Sequence, residues 1–367
     1  VKFQSGDAHC RDLWKVILNS SLQSCHDVYR KLGVSLRMED TRGESAYNDD
    51  LPKVVADLNK LGMLKESQGA QCVFLPEFTA KDGSPLPLIV QKSDEGYLYA
   101  TTDLAAIRYR VGELQADRVL YVVGAPQALH FRQVFAVARQ AGFAPENVSL
   151  EHIAFGSMLG DDGKPFKTRA GGTVKLMDVL NEAVERAYGV VGVKSADIPE
   201  DQRRQISQVV GVGAVKYADL AQNRNSDYVF SWDKMLSMEG NTAPYMQYAY
   251  ARVRSIFRKG AGGGAAGAGG ATPAGRFLLN TPAERTLAMK LTHLPEVVEM
   301  VAAECLPNIL CAYLYELAGS FMSFYESCPV LQSEEPVRTS RLMLCDLTAR
   351  AIRTGLNLLG IETIEQM

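Results

Sequence analysis

Tyr99 and Asp103 stand four residues apart in the run Tyr99-Ala100-Thr101-Thr102-Asp103. On a helix that spacing puts both side chains on one face. A carboxylate can take a guanidinium through two parallel hydrogen bonds, and a nearby phenol can fix its rotation. The plainer reading of Asp103 is a first-turn carboxylate favoured by the helix dipole. Gln127 and His130 follow, straddling an expected strand end and helix start. An amide there can bind an amino or carboxylate group, and an imidazole can contact a ribose or base. A lone histidine at a helix start can equally be structural.

A second constellation is Gly163-Lys164-Pro165-Phe166-Lys167-Thr168-Arg169-Ala170-Gly171-Gly172. The cations Lys164, Lys167 and Arg169, bracketed by glycine, can close over a triphosphate and stabilise charge on a departing phosphate. It is not a P-loop, since Gly-x-x-x-x-Gly-Lys-Ser/Thr is missing. A solvated basic turn is the competing explanation. Together the two constellations suggest a site that joins a cationic small molecule to a nucleotide. No His-x-Gly-His segment occurs, so part of such a site is expected outside this chain.

A third set combines aromatic and basic residues. Tyr245, Tyr248 and Tyr250 interleave with Arg252, Arg254, Arg258 and Lys259. Tyr245 and Tyr248, three apart, share a helix face. Such a face can stack unpaired bases while cations meet phosphates. Core tyrosines beside a solvated face would look the same, and Phe321, Phe324 and Tyr325 read more readily as core.

The elements that must position these residues follow from pattern. The 367 residues, 47% apolar and 22% charged, suit two or three domains. A formal charge of −3 argues against wholesale coating of nucleic acid but allows a local basic face. Seven cysteines without a Cys-x-x-Cys pair, and five scattered histidines, point away from zinc or disulfides and towards a reduced, cytoplasmic protein. No apolar run is long enough for a membrane span, and the start, Val1-Lys2-Phe3-Gln4, lacks a signal-peptide core and an initiator Met. The chain is therefore expected to begin inside a longer protein.

Residues 10–32 and 51–63 read as helices, the latter stopped by Gly62. Cys72–Leu75 and Leu88–Gln91 read as strands with a turn at Asp82-Gly83, completing a small α+β module over 1–95. Thr101-Thr102-Asp103 can open a helix through Tyr109. Arg118–Val123 reads as a strand of the buried parallel kind, Ala128–Ala141 as a helix closed by Gly142, and Val148–Phe155 as a strand. This βαβ unit predicts a doubly wound sheet in 96–175. Residues 175–191, 203–222, 241–259, 283–303, 308–326 and 336–358 are helical by period, with no convincing strand after 175. The second half is expected to be all-α. The glycine- and alanine-rich stretch 260–275 reads as a flexible interhelical loop.

The segment from Asp103 to Lys175 resembles the class I arginyl-tRNA synthetases of the bacterial type. So do Val212–Leu220, Leu359–Met367 and above all Gly240-Asn241-Thr242-Ala243-Pro244-Tyr245-Met246-Gln247-Tyr248-Ala249-Tyr250. The resemblance covers nearly the whole chain. It implies an α/β fold followed by all-α: the second half of a Rossmann-like catalytic domain (96–175), a helical stem-contact region (176–240) and an anticodon-binding bundle (241–367). It also implies an arginine–tRNA ligase, using ATP with its Mg2+ to make arginyl-adenylate and then charging the terminal adenosine of tRNA-Arg.

By this resemblance Tyr99 and Asp103 hold the guanidinium, Gln127 meets the α-amino end, and His130 lies towards the adenosine. Gly156-Ser157-Met158-Leu159 meets adenine, with Met158 and Leu159 in the ATP site. Lys164, Lys167 and Arg169 are the catalytic cations. The loop departs from the family's Lys-Met-Ser-Lys-Ser, having Pro165 and Thr168 at the lysine positions. Tyr245, Tyr248, Tyr325 and Met367 fall where the family contacts the anticodon loop. The family's His-Ile-Gly-His belongs upstream of residue 1, so this portion alone is expected to be inactive. No resident metal, no membrane and a monomeric state are expected. A non-catalytic tRNA-binding module derived from such an enzyme is the alternative, and an unrelated nucleotidyltransferase with a helical appendage a more distant one.

Overall fold

Apolar periodicity and turn chemistry together build two units, Val1–Asp27 with Leu36–Gly156, and Val28–Ser35 with Ser157–Met367. The computed structural model describes residues 7–160, 162–164, 175–194, 198–260 and 275–366. The order is α/β first and helical afterwards.

In the first unit, helix α1 (Ala8–Leu32, whose last residues belong to the second unit) precedes α2 (Leu51–Lys60). Leu51, Val54 and Leu58 form the buried stripe of α2, and Gly62, at φ +68°, takes the left-handed conformation that ends it. Strands β1 (Leu64–Ser67), β2 (Ala70–Val73) and β3 (Leu88–Gln91) make an antiparallel sheet in that order. The first of these strands gave no clear alternating signal in the sequence. The Asp82-Gly83 turn forms between β2 and β3, with Ser84 N donating to Asp82 Oδ1 at 3.0 Å and Gly83 at φ +80°.

Helix α3 runs Tyr99–Arg108, so it opens at Tyr99 and not at Thr101-Thr102-Asp103. Leu98 is extended at φ −113°, ψ 169°, and its carbonyl takes both Thr101 N (3.0 Å) and Thr102 N (3.2 Å). Thr101 is not a cap: it is fully buried and its hydroxyl donates to the Val90 carbonyl, tying α3 to β3.

Strand β4 (Arg118–Gly124), helix α4 (Ala128–Gln140) and strand β5 (Ser149–Phe155) form the expected βαβ unit, β4 pairing parallel with β5 from Arg118↔Ser149 to Gly124↔Phe155. Gly142, at φ +71°, follows the end of α4. Arg118 Nε and Nη2 donate to both oxygens of Glu151 at 2.6 and 2.7 Å, pinning that register and holding the Glu151 carboxyl at about 2. The strand departs from expectation on one face. Val119 and Tyr121 are buried, with the Phe131 and Phe135 rings of α4 at 4.9 and 5.2 Å from Tyr121. Leu120 and Val122, on the alternate face, are 41% and 66% exposed. A continuous apolar run suits a strand covered on both sides, and here only one side is covered.

The second unit holds β6 (Met158–Leu159), α5 (Leu176–Lys194), α6 (Glu200–Leu220), β7 (Tyr228–Val229), α7 (Trp232–Met235) and α8 (Ala243–Gly260). It continues with α9 (Pro282–Thr292), α10 (Leu294–Glu304), α11 (Pro307–Ser327) and α12 (Val337–Leu358). Two expectations are corrected here. A strand does follow residue 175: β7 pairs parallel with β6, but two residues are too few to show a period. The predicted helix over 283–303 is two helices. Pro295, at the start of α10, lacks an N–H and would clash with the preceding turn, so the chain breaks at His293.

Helices α5 and α6 approach closely at Gly211, where a Cβ would lie 2.7 Å from Val184 Cα. Only glycine permits that crossing. The main core of the unit joins α6, α8, α9, α11 and α12 around Tyr217, Met246, Tyr250, Leu314, Phe321, Phe324 and Ile352. Phe321 and Phe324 are therefore core, as their pattern implied. Among the described residues no helix is long and apolar enough to cross a membrane.

Candidate active site

Of the first constellation, all in the first unit, the structure brings Asp103 and His130 into contact. Tyr99 and Asp103 occupy the first and fifth positions of α3, so they share a face, and Tyr99 is 70% exposed. No acidic residue lies in the first turn of α3, which removes the helix dipole as the reason for Asp103. Instead Asp103 Oδ2 lies 2.7 Å from His130 Nε2, both side chains about one-quarter exposed.

His130 reaches Asp103 from α4, just after the β4–α4 crossing that carries Gln127. Ala125-Pro126-Gln127 make a single 3-10 turn, Gln127 precedes α4 with an exposed side chain, and His130 is the third residue of α4. The His130 ring meets Phe131 edge-on at 5.2 Å, and Phe131 is itself 4% exposed. Tyr121 adds a hydroxyl that takes a hydrogen bond from Arg110 Nη1 at 2.8 Å. Burial pushes this phenol up to about 12, with Arg110 opposing and the Asp103 charge adding to the rise. The result is an exposed phenol, a braced carboxylate and an exposed amide, a set able to bind a cationic amino compound. The sequence carried no sign of the Asp103–His130 contact across 27 positions.

The residues expected from the sequence to meet the nucleotide lie in the second unit. Met158 and Leu159 form β6, where Met158 packs against the cluster of Val179, Leu180 and Phe230. Ser157 O takes Tyr228 N at 3.1 Å and Leu159 O takes Phe230 N at 2.9 Å, while Ser157 N donates to Asp227 Oδ1 at 2.6 Å. Lys164 is exposed in a turn shaped by Gly163 at φ +69°, with its N–H on Asp162 Oδ1 at 3.1 Å. Lys167, Arg169 and their neighbours Pro165, Phe166 and Thr168 lie outside the described residues, as do 261–274 and Met367.

The tyrosines of α8 divide. Tyr250 is core, 1% exposed, with its hydroxyl on Glu365 Oε1 at 2.5 Å. Tyr245 is partly buried against Tyr315 at 5.8 Å, which raises its phenol above the ordinary value through burial. Tyr248 and Tyr325 share Arg252: the guanidinium carbon lies 6.0 Å from one ring centre and 5.2 Å from the other, and Arg252 Nη1 donates to Tyr248 OH at 2.8 Å. Tyr325 also stacks on Phe321 at 5.9 Å. Tyr248, Arg252 and Tyr325 thus form one aromatic–cation assembly, while Tyr245 belongs with Tyr315.

Residues 362–365 are fastened to α8. Arg254 Nε donates to Glu365 Oε2 at 2.8 Å, Arg258 Nη1 to Glu365 O at 2.7 Å, and Gln247 Nε2 to Glu362 O at 2.9 Å. Glu365→Ala is expected to loosen this tail by about 0.5–1 kcal/mol, since the Glu365 side chain is 55% exposed and its pairing is screened. Hydrogen exchange of peptides spanning 359–366 should quicken roughly two- to fivefold. Unchanged exchange would show that the tail is held by other contacts.

Comparison with known proteins gives two family matches: "tRNA synthetases class I (R), catalytic domain" over residues 1–232 and "DALR anticodon binding domain" over 246–367. The chain is 58% identical over its whole length to an arginine–tRNA ligase of Hahella chejuensis, covering 62% of that protein. It is 54% identical to one from Laribacter hongkongensis, covering 63%. Among solved structures, the arginyl-tRNA synthetase of Plasmodium falciparum matches all of this chain with a TM-score of 0.83 at 30% identity, over 60% of its own length. That of Thermus thermophilus matches 86% of the chain at 0.75 and 27%, over 58% of its own. The chain thus spans about three-fifths of the length of the relatives it matches.

Proposed function

The chain belongs to the class I arginyl-tRNA synthetases, and from that premise we propose that it serves an arginine–tRNA ligase, together with the further length its relatives carry. In that reaction the arginine carboxylate attacks the α-phosphorus of ATP and pyrophosphate leaves; a hydroxyl of the terminal adenosine of tRNA-Arg then attacks the adenylate carbonyl, takes the arginyl group and releases AMP. Tyr99 and Asp103 bind the guanidinium and Gln127 the α-amino end. Met158 and Leu159 face the nucleotide, and Lys164, Lys167 and Arg169 stabilise charge on the departing pyrophosphate. Mg2+ enters with the ATP phosphates as part of the substrate. Tyr245, Tyr248, Tyr325 and Met367 face the anticodon loop. The protein acts in the cytoplasm as a monomer.

The observation that carries the arginine end of this reading is Asp103 itself. It lies one helical turn from Tyr99, outside the first turn of α3, and it accepts from His130 through Oδ2. A carboxylate that is three-quarters buried, with one oxygen on His130 and the other without a hydrogen-bond partner among the described residues, is well explained by a cationic ligand. The test is charging of tRNA-Arg transcript by the full-length protein with each of the twenty amino acids. Arginine alone should be esterified, and only when ATP is present. Charging with another amino acid, or none with arginine, would refute the reading.

A further inference from the structure

We propose that His130 is a positioning residue for the guanidinium-binding carboxylate: its imidazole holds Asp103 by one oxygen so that the other edge is presented to substrate arginine. This rests on the reading of Asp103 as the arginine-binding group, and it assigns His130 to the amino-acid end of the site instead of the adenosine.

The chemistry of the contact fixes the proton. An ionised carboxylate only accepts, so at 2.7 Å from Asp103 Oδ2 the His130 Nε2 carries the hydrogen. With Nε2 as the donor, the carboxylate still presents its negative charge to the positive charge of a guanidinium. Asp103 Oδ1 has no hydrogen-bond partner among the described residues. Oδ2 keeps lone-pair capacity beyond the bond to His130.

The brace is itself rigid. His130 sits on the first turn of α4, its ring against Phe131, and Phe131 is wedged among Tyr121 at 4.9 Å, Phe135 at 5.7 Å and His152 at 5.1 Å. An unbraced carboxylate on a helix surface rotates about its terminal torsion and loses that freedom when a bidentate ligand binds. With His130 in place that loss has occurred before the ligand arrives. The same bond occupies Nε2, leaving Nδ1 as the one ring nitrogen open to any nucleotide contact.

Steady-state charging by the full-length protein tests this. His130→Ala should raise the arginine KM roughly tenfold, the loss of one hydrogen bond to a charged group, with little change in ATP KM or kcat. His130→Gln carries a donor at similar reach and should recover most of the loss, whereas His130→Asn, one bond shorter, should not. In an Asp103→Asn background His130→Ala should add little, because the two act through one contact. A rise in ATP KM, no rescue by glutamine, or losses that simply multiply would overturn the assignment while leaving the ligase reading intact. Wild-type protein that does not charge arginine would remove that reading, and this role with it.

Discussion

Asp103→Asn in the full-length protein raises the arginine requirement about ten- to hundredfold and leaves the ATP requirement nearly unchanged. Asparagine keeps the shape of the side chain, so α3 and its neighbours are undisturbed. It removes the charge that a guanidinium pairs with, and its amide nitrogen offers a donor where two donors of the substrate arrive. A hydrogen bond to a charged group contributes roughly 1.5–3 kcal/mol, and a factor of ten is about 1.4 kcal/mol. Tyr99→Phe acts in the same direction with a smaller loss, because Tyr99 is 70% exposed and contributes one neutral hydroxyl. The measurement is KM for each substrate in ATP–pyrophosphate exchange and in charging. Equal losses for arginine and ATP would mean that the helix collapsed and that Asp103 has no special partner.

Local chemistry was legible in the sequence wherever a short-range rule decides the outcome. Gly62 and Gly142 stop their helices because each takes a left-handed conformation there. The run Arg118–Val123 followed by a helix and a second strand gives the parallel unit because few other folds accept that order. The rule fails where a tertiary contact intervenes. Thr101 reads as a cap from its residue type, yet its hydroxyl is drawn to the Val90 carbonyl of β3 and the helix opens at Tyr99. The pattern over 283–303 keeps its helical period through the break, so Pro295 and not periodicity decides it.

The candidate site divides in the same way. Spacing alone set Tyr99 beside Asp103, since both lie on one helix. The partner of Asp103 comes from α4, 27 residues on, and no local pattern encodes it. The tyrosines of α8 show the converse. Spacing set Tyr245 and Tyr248 on one helix face, with core tyrosines as the competing reading; packing sends Tyr250 into the core, Tyr245 to Tyr315, and Tyr248 to Arg252 and Tyr325. Residue types announced the chemistry, and packing chose the companions.

A buried ion pair joins two helices of the helical unit, and breaking it by removing one partner should cost that unit substantial stability. Glu284 on α9 is fully buried, and Arg341 on α12 is 9% exposed. Arg341 Nε donates to Glu284 Oε1 at 2.7 Å, while Arg341 Nη1 reaches Pro329 O and Ser333 Oγ, each at 2.8 Å. Glu284 Oε2 takes Thr281 N at 2.7 Å, closing a capping box with the Thr281 hydroxyl on Glu284 N at 3.2 Å. One carboxylate therefore caps α9 and fastens it to α12. Burial pushes its pKa up, but Arg341 and Thr281 outweigh that and leave it below the ordinary value.

A lowered folded value means that the unfolded chain binds more protons across the window between the two pKa values. Stability from this group is complete above the unfolded value and is lost as pH falls through the folded one. Glu284→Ala leaves the Arg341 charge buried without its counter-ion and opens the cap, at a cost of about 3–5 kcal/mol. Hydrogen exchange in peptides from α9 and α12 should accelerate by about two to four orders of magnitude at neutral pH, with less difference from wild type in acid. The paired change Glu284→Leu with Arg341→Met should recover much of the loss, since an apolar pair of similar volume removes both charges together. A single-variant loss below about 1 kcal/mol would instead place this pair with the weak surface bridges, and the joint between α9 and α12 would have to be sought in their apolar contacts.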